Sequence, residues 1–427
     1  MEPIKKEFDV VIIGASIAGC TAAMLFGKQG LRVALIEQHK EPKYYKKICT
    51  HYIQSSAIPT IDRLGLLEKL EKAGANFGSV DFWSPWGWFQ NNHDKNFEEK
   101  IRGVNIRRQT LDPILKQMAK SSPGVESFFG YRCNQLLKTK NKILGIEIED
   151  STKHKVQIKA QLTVGADGRM SAIAKMAKVK EKNYPHGRFG YAAYYENLPL
   201  TSNNKAKMWI LNPDLAYSFP TDNNLTLLAC FLTKEKYETW QKNYEEKFIQ
   251  LFENLPRQSI PIRKAKRVSP FLKSNNLKII SRQVSLPGLA LIGDAALASD
   301  PVWGIGIGWA FQSAEWLADT CSMYLKKKES LETGLAKYRR KHRKNLQSHH
   351  KIITQSATGR RLNLIERLLI YSATKDSAVA KTLHLIGSRL ISPYTIFQPN
   401  NLGRIAWVLS KAKINSLLPE ADFKTSH

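Results

Sequence analysis

The chain has 427 residues, is 43% hydrophobic and carries a formal net charge of +28. This length predicts two or three domains with a large core. The sequence contains no run of about 18 apolar residues, so we expect no membrane-spanning helix. The N-terminal MEPIKKEF lacks the apolar region of a secretion signal, and the five cysteines are scattered, so we expect reduced thiols in the cytoplasm. No zinc-finger, RNA-recognition or helix-turn-helix pattern is present, so we expect neither nucleic acid nor a bound metal.

The first predicted elements lie in DVVIIGASIAGCTAAMLFGKQGLRVALIEQ, residues 9–38. Their order, strand, tight turn, helix and strand, is typical of a unit that binds a dinucleotide. Gly14 permits the sharp exit from the first strand, and Gly19 allows the helix to pack closely against it. Ser16 replaces the usual middle glycine, and it is small enough for the backbone to approach a pyrophosphate at the helix N-terminus.

The rest of this unit supports the same interpretation. Ala15 and Ala18 are the other small residues of the turn. Glu37 ends the second strand, where a carboxylate can accept hydrogen bonds from a ribose diol. An acid at this place favours an unphosphorylated ribose, as in NAD or FAD, over NADP.

Periodicity gives the next elements in chain order. We predict a helix over residues 56–73, strands within 77–89, a helix that opens near Thr110, and a β-meander over 125–164.

The second half of the chain begins with alternating runs from 187 to 232, which predict a second sheet. A helix is expected over 234–254 and another near Ile307–Tyr324, and the region from about 330 onward is mostly helical and basic.

Two further motifs follow the first in order, GADGRMSAIAK at 165–175 and LALIGDAALASDP at 289–301. Together, the three resemble the fingerprints of the FAD-dependent superfamily that contains aromatic hydroxylases (group A flavoprotein monooxygenases), geranylgeranyl reductases and flavin-dependent halogenases. The resemblance covers roughly residues 8–330.

This resemblance implies an α/β fold with three regions. A Rossmann-like FAD-binding domain of the glutathione-reductase and hydroxylase type is joined to a second, mostly antiparallel β-sheet that holds the substrate, and a helical C-terminal extension follows. The expected boundaries are 1–75, 101–180 and 271–330 for the first region, 76–100 and 181–270 for the second, and 331–427 for the third.

The resemblance also implies roles for single residues. The turn already described would hold the FAD pyrophosphate, and Glu37 would hold the adenosine ribose. Arg108 matches an arginine placed against the diphosphate, and Asp167 closes the second motif, which faces both FAD and NAD(P)H.

The third motif is expected to lie along the flavin. Asp294 matches the aspartate that binds the ribityl chain, and Pro301, Gly304 and Gly306 match the loop beside the isoalloxazine ring. The helix after this loop would direct its positive end at the reduced flavin.

The reaction is less defined, because the chain departs from every subgroup. Halogenases carry a lysine where this chain has Asn76, and their W-x-W-x-I-P signature is absent. Reductases have a Cys-Gly-Glu-like turn, of which only Cys49 is kept, with Thr50 and His51 following. Cys49 and His51 are the catalytic candidates, as a flavin-facing thiol and a proton relay, or they are a buried thiol and a hydrogen-bonded histidine.

We favour a monooxygenase that uses NADPH or NADH, molecular oxygen and a flavin C4a-hydroperoxide on a small hydrophobic or aromatic substrate. A geranylgeranyl-reductase-like alkene reductase or dehydrogenase is the alternative, followed by a halogenase or a non-catalytic flavin- or lipid-binding protein. The basic C-terminal helices either make peripheral contact with a membrane or pack back onto the domain.

Overall fold

The computed structural model describes residues 4–90, 94–198, 205–256, 260–275, 277–327 and 329–412. Its strands are β1 (Ile4–Ile13), β2 (Val33–Glu37), β3 (Tyr52–Ile53), β4 (Asn76–Gly78), β5 (Val80–Ser84), β6 (Gly87–Trp88), β7 (Gly103–Asn105), β8 (Val125–Phe129), β9 (Arg132–Lys138), β10 (Ile143–Glu149), β11 (Lys155–Gly165), β12 (Glu181–Tyr184), β13 (Arg188–Glu196), β14 (Ala206–Ile210), β15 (Leu215–Pro220), β16 (Leu225–Thr233), β17 (Lys266–Arg267), β18 (Leu272–Ser274), β19 (Ile279–Arg282), β20 (Ser285–Leu286), β21 (Leu289–Leu291) and β22 (Leu297–Ala298).

The helices are α1 (Ile17–Lys28), α2 (Ile58–Arg63), α3 (Leu67–Lys72), α4 (Lys95–Lys100), α5 (Arg108–Lys120), α6 (Ala172–Met176), α7 (Tyr237–Lys242), α8 (Tyr244–Glu253), α9 (Gly306–Lys327), α10 (Leu331–Ser356), α11 (Leu364–Lys375), α12 (Ser377–Gly387) and α13 (Pro399–Ser410). Within the described ranges, no helix is both long enough and apolar enough to cross a membrane.

The main sheet confirms the predicted strand-helix-strand unit. Its parallel core runs in the order β21-β11-β1-β2-β8, and α1 links β1 to β2. Val10 pairs with Val33 on one side and with Leu162 on the other. Residues 10–13 and 33–37 are buried, as expected of parallel strands covered on both faces.

The predicted meander over 125–164 is only partly present. β9, β10 and β11 form an antiparallel ribbon, but β8 leaves it and pairs in parallel with β2. Local alternation marks each strand correctly but carries no information on which distant strand it joins.

The second sheet has the order β17-β13-β16-β15-β14-β5-β6, and its pairs are antiparallel except β14 with β5. Its alternating residues separate into two faces. Tyr191 and Tyr195 of β13 pack on the side covered by α7 and α8, whereas Ala192 and Tyr194 face the opposite side, toward Val302.

Two predicted helices are broken in the structure. The helix expected over 56–73 is interrupted at Gly65, whose φ of 72° is left-handed, so α2 and α3 are separate. The helix expected over 234–254 is interrupted at Asn243, with φ −147° and ψ 54°. Apolar periodicity continues across both breaks, which is why the pattern alone predicted one helix in each case.

The pairing of short strands bears on the predicted boundaries. β18, which begins one residue after the boundary at 271, pairs with β13 of the second sheet. β12, which begins at the boundary of 181, pairs with β19 in a small three-stranded sheet. The division into domains stays a prediction, and these strands show where it would be refined.

Candidate functional site

A cavity of about 880 Å³ lies between the carboxyl ends of the parallel strands and the second sheet. Most residues predicted to bind the cofactor line it: Gly14, Ala15, Ser16, Ala18, Glu37, Arg108, Asp167, Asp294, Pro301, Gly304 and Gly306. Gly19 is not among its lining residues. The structure therefore brings the three distant motifs together around one space, and the role of each residue in binding stays a prediction.

Backbone geometry explains the two outer glycines of the first motif. Gly14 has φ +105°, and a Cβ there would stand 2.5 Å from the carbonyl oxygen of Ala166. A Cβ on Gly19 would stand 1.8 Å from the carbonyl oxygen of Gly14. Neither place tolerates a side chain, because the obstructing atoms are backbone.

Ser16, the unusual middle residue, contacts a distant arginine. Its Oγ accepts a hydrogen bond of 2.7 Å from Nη2 of Arg108, and it does not cap α1 although it stands at the N-cap. Asp112 accepts from Arg108 at 2.6 and 2.9 Å. Burial alone would lower the pKa of Arg108, but Asp112 raises it, so the guanidinium stays charged beside the turn.

The carboxylate of Glu37, which is predicted to contact a ribose, also accepts hydrogen bonds from the backbone. It accepts from the backbone N–H of Ala15 and from that of His39, each at 2.9 Å. The side chain is therefore fixed at the cavity and also holds the turn of the first motif in place.

Asp294 forms an ion pair that sequence reasoning missed. Nζ of Lys46 lies 3.0 Å from its Oδ2. Burial alone would raise the pKa of Asp294, but Lys46 and Arg169 bring it below its ordinary value, so the group is an anion. The basic stretch around Lys46 was visible in the sequence, but nothing there connected it to a residue 248 positions away.

Asp167 lines the cavity, yet its oxygens are engaged by the short helix α6. Ser171 Oγ donates to it at 2.6 Å and the backbone N–H of Ile173 at 3.1 Å. The carboxylate therefore fixes the N-terminus of α6, and its predicted contact with FAD would use its remaining acceptor capacity.

The loop at 299–304 is held from the second sheet. Asp300 accepts from the backbone N–H of Val302 at 2.7 Å and lies 2.6 Å from Nε2 of His186. Tyr217 donates its hydroxyl to the carbonyl of Val302 at 2.7 Å. His186 was not predicted, because only the folded chain brings it beside Asp300.

The two catalytic candidates differ in position. Cys49 lines the cavity, and its Sγ accepts from the backbone N–H of His51 at 3.3 Å. His51 is 1% exposed and does not line the cavity. Its Nδ1 accepts from the backbone N–H of Arg108 at 3.2 Å, which leaves the proton on Nε2, facing the hydroxyl of Tyr194.

Burial, with the nearby Arg108, lowers the pKa of His51 to about 3, so the ring is neutral near pH 7. Burial also raises the pKa of Tyr194 above its ordinary value. This geometry favours the hydrogen-bonded histidine over the proton relay, with His51 positioning α5 and the second sheet relative to each other.

Asn76, the place where halogenases carry a lysine, begins β4. This strand pairs with β7 and reads Asn-Phe-Gly, so it offers no amine. Asn76 is not among the residues that line the cavity.

The cavity fits FAD in charge and shape. The first turn of α1 carries no acidic residue that would repel a pyrophosphate. The turn before it also has no side chain at Gly14, where a Cβ would clash, so the backbone amides at the helix N-terminus stay open to a pyrophosphate. Arg108, Lys46 and Lys47 line the same wall. Bound here, FAD would supply two-electron redox chemistry, with Glu37 at the ribose, Arg108 at the diphosphate and Asp294 at the ribityl chain.

Comparisons with known proteins identify the family and the fold. The chain is 23% identical over 379 residues to 1H-pyrrole-2-carbonyl-(peptidyl-carrier protein) chlorinase of Pseudomonas fluorescens, covering 82% of this chain and 83% of that protein. It is 22% identical over 336 residues to squalene monooxygenase of Candida glabrata, covering 70% and 68%. Its fold resembles that of a geranylgeranyl bacteriochlorophyll reductase-like protein of Thermoplasma acidophilum, with a TM-score of 0.70, 17% identity, and coverage of 95% and 100%.

The model of the FAD binding domain family matches residues 7–349. The match spans all three motifs and the second sheet between them. The chain therefore belongs to the FAD binding domain family, in the superfamily of FAD-dependent enzymes that contains hydroxylases, geranylgeranyl reductases and halogenases.

Proposed function

We propose that this chain is an FAD-dependent monooxygenase that takes electrons from NADPH or NADH and inserts one atom of molecular oxygen into a small hydrophobic or aromatic compound. One observation carries the proposal. The cavity that holds the cofactor motifs continues to an apolar wall formed by the second sheet and the segment after β18, with Ala192, Leu227, Ala229, Phe231, Leu272 and Leu277.

The two walls of the cavity differ in chemistry. Charged groups lie along the first motif, where Arg108 and Lys46 each have an acidic partner. The wall on the second sheet offers aliphatic and aromatic surface, which binds an apolar compound and keeps water from it. Such exclusion suits a reaction whose oxidising species is destroyed by water.

The loop at 301–304 meets this apolar wall. Tyr217, anchored to Val302, belongs to the same apolar cluster as Phe231. The substrate would thus lie between this loop and the strands β13 and β16, whose lining residues would bind it, while Tyr217 and Val302 hold the loop in place from behind.

Asn76 and its strand support monooxygenation over halogenation. Some of the relatives are named as halogenating enzymes, so halogenation is the alternative that an experiment must exclude. In this chain, however, β4 lacks the amine on which halogen transfer depends in halogenases. We therefore expect no halogenated product from the parent chain or from Asn76→Lys, because one amine does not recreate a halide site.

A second candidate is an alkene reductase, and the position of Cys49 favours it. Cys49 lines the cavity as part of the turn that resembles that of reductases. In such a reaction the reduced flavin would supply a hydride to one carbon of the double bond and the thiol of Cys49 a proton to the other, with the backbone N–H of His51 donating to its Sγ.

Labelled oxygen separates these functions. The purified protein with bound FAD is mixed with NADPH or NADH and a panel of phenols, indoles and prenyl alcohols under ¹⁸O₂, with chloride and bromide present. We expect a product heavier by one ¹⁸O atom, with one nicotinamide oxidised per molecule of oxygen consumed.

Other products would contradict the proposal in distinct ways. A product heavier by two hydrogens, formed without oxygen and lost in Cys49→Ser, assigns the reductase. A chlorinated or brominated product assigns the halogenase. Cys49→Ser also serves as the control for monooxygenation, which it should leave largely intact because the thiol has no part in oxygen insertion.

A further inference from the structure

The end of the helical C-terminal region exposes an apolar surface, which we call the 394–411 face. Four large side chains stand out of it: Tyr394 is 60% exposed, Phe397 55%, Leu402 46% and Trp407 51%. The first two lie on the short turn Pro393–Phe397 and the others on α13, which follows directly.

The burial pattern of α13 shows that Leu402 and Trp407 are exposed on a helix that is packed onto the fold and not on a frayed end of the chain. Ile405 and Val408 are buried and attach the helix to the fold. Leu402 and Ala406, four residues apart, are exposed together with Trp407. The helix therefore has apolar residues on its outer side as well, whereas a surface helix of a protein in water has polar residues there.

The sequence around this surface is basic, although Lys381 pairs with Asp94 of a distant segment. Residues 377–412 contain Lys381, Arg389, Arg404 and Lys411 and no Asp or Glu. Nζ of Lys411 lies 3.6 Å from the ring centroid of Trp407, and the guanidinium of Arg404 lies 5.5 Å from it. Arg404 also pairs with Asp376, whereas Lys411 forms no ion pair among the described residues.

This combination selects one occupant. A second copy of the chain would bring another +28 charge to the same basic surface and be repelled. An indole between cationic side chains, with neighbouring Leu and Phe, matches the boundary between acyl chains and anionic headgroups. We propose that the 394–411 face docks the protein peripherally on an anionic lipid bilayer.

The test uses the full chain and vesicles of known composition. The protein is sedimented with vesicles of phosphatidylcholine alone and of phosphatidylcholine with phosphatidylglycerol, at low and high salt. We expect binding to the anionic vesicles only, weakened by salt, with a blue shift of tryptophan fluorescence that Trp407→Phe abolishes.

Matched variants connect the binding to this face. Lys411→Glu should lower partitioning at least roughly fivefold, whereas Lys140→Glu, an exposed lysine of the β9–β10 turn, should produce a smaller loss because it changes only the total charge. Trp407→Ser and Leu402→Ser should lower partitioning about tenfold or more, whereas Leu144→Ser, on the 38% exposed Leu144 of β10, should not.

Three outcomes would overturn the proposal. One is the absence of binding to anionic vesicles, and another is binding that Trp407→Ser and Leu402→Ser leave unchanged. The third is a dimer in solution that Trp407→Ser dissociates, which would assign the face to a second copy. Retained FAD and an unchanged thermal midpoint in each variant would show that the fold is intact.

Discussion

The cofactor cavity and the helical C-terminal region differ in whether their buried cations have acidic partners among the residues that the structure describes. Around the cavity, Arg108 is paired with Asp112 and Lys46 with Asp294, and Glu37 accepts from two amides. In the C-terminal region, buried atoms lack hydrogen-bond partners among the described residues: Nε and Nη1 of Arg389, Nδ1 of His349 and Nε2 of His350.

Arg389 shows the difference most clearly. Its Nη2 donates to Gln312 at 2.5 Å, and its guanidinium lies 5.5 Å from the ring of Trp309. Burial lowers the pKa of Arg389 to about 9, since no carboxylate of the described residues opposes the effect. The buried histidines of the C-terminal region are neutral near pH 7, whereas Arg389 is a buried charge, and Arg108 and Lys46 at the cavity are balanced by carboxylates.

The largest expected effect is on FAD binding, and it appears when one glycine from each region is replaced by alanine. Gly19→Ala should abolish FAD binding, because its Cβ meets the Gly14 carbonyl at 1.8 Å. Gly403→Ala, with no atom within 4 Å of the new Cβ, should keep FAD and stabilise α13 by about 0.5–1 kcal/mol. FAD content after purification and urea unfolding measure both, and an FAD-replete Gly19→Ala protein would contradict this account of the turn.

The next effect is the response of the C-terminal region to acid. Burial lowers the pKa of His342, His349, His350 and His384 to about 4, against about 6.5 when unfolded. Below pH 6.5 the unfolded chain therefore binds more protons than the folded chain. The contribution of the neutral histidines to the free energy of unfolding is complete above pH 6.5 and is lost as pH falls toward 4. At pH 5 the loss is about 1–2 kcal/mol for each histidine.

Urea unfolding at pH 7.5 and pH 5 measures this loss. His342→Phe should reduce the difference between the two pH values by about one quarter, because it removes one of the four groups. Equal stability at both pH values, or a difference that none of the four single variants reduces, would show that these histidines are not the cause.

A smaller effect is expected in the cavity at Glu37. Glu37→Ala removes a charged acceptor, and such bonds contribute about 1.5–3 kcal/mol, so FAD affinity should fall roughly tenfold or more. Glu37→Gln keeps one acceptor oxygen and should lose less. Titration of the apoprotein with FAD gives both constants, and an unchanged constant in Glu37→Ala would place the adenosine ribose elsewhere.

The smallest effect has the opposite sign. Arg389→Met removes a buried guanidinium that has no acidic partner within the described part of the chain, so we expect stability to rise by about 1 kcal/mol at pH 7.5. The urea midpoint measures it. A loss of stability instead would mean that the hydrogen bond to Gln312 and the contact with Trp309 outweigh the cost of burying the charge.

The sequence predicted the parts of the site that depend on local chain geometry. The turn at Gly14 and Gly19, the carboxylate of Glu37 and the loop at Gly304 lie in motifs whose spacing is set by strand, turn and helix. The same local reasoning failed at Gly65 and Asn243, where a single backbone conformation ends a helix that the apolar pattern continues.

Other parts of the site could not be predicted, because they join distant segments. Ser16 meets Arg108 across 92 positions, and Tyr194 meets His51 across 143. The basic stretch around Lys46 and the strands of the second sheet were visible in the sequence, but nothing near Lys46, His186 or the apolar wall identified the residues that they contact. Pairings of this kind depend on the register of whole elements, which periodicity does not specify.

The strand order of the main sheet determines when each strand gains its neighbours during synthesis of the chain. β1 is flanked by β2 and by β11, whose pairing joins Ile4 to Val156, and β11 is in turn covered by β21. At about 5–20 residues per second, a ribosome delivers β11 roughly 8–30 s after β1, and β21 later still. Throughout that interval one edge of the apolar strand β1 has no partner, so we expect newly made chains to be prone to aggregation until β11 has been synthesised.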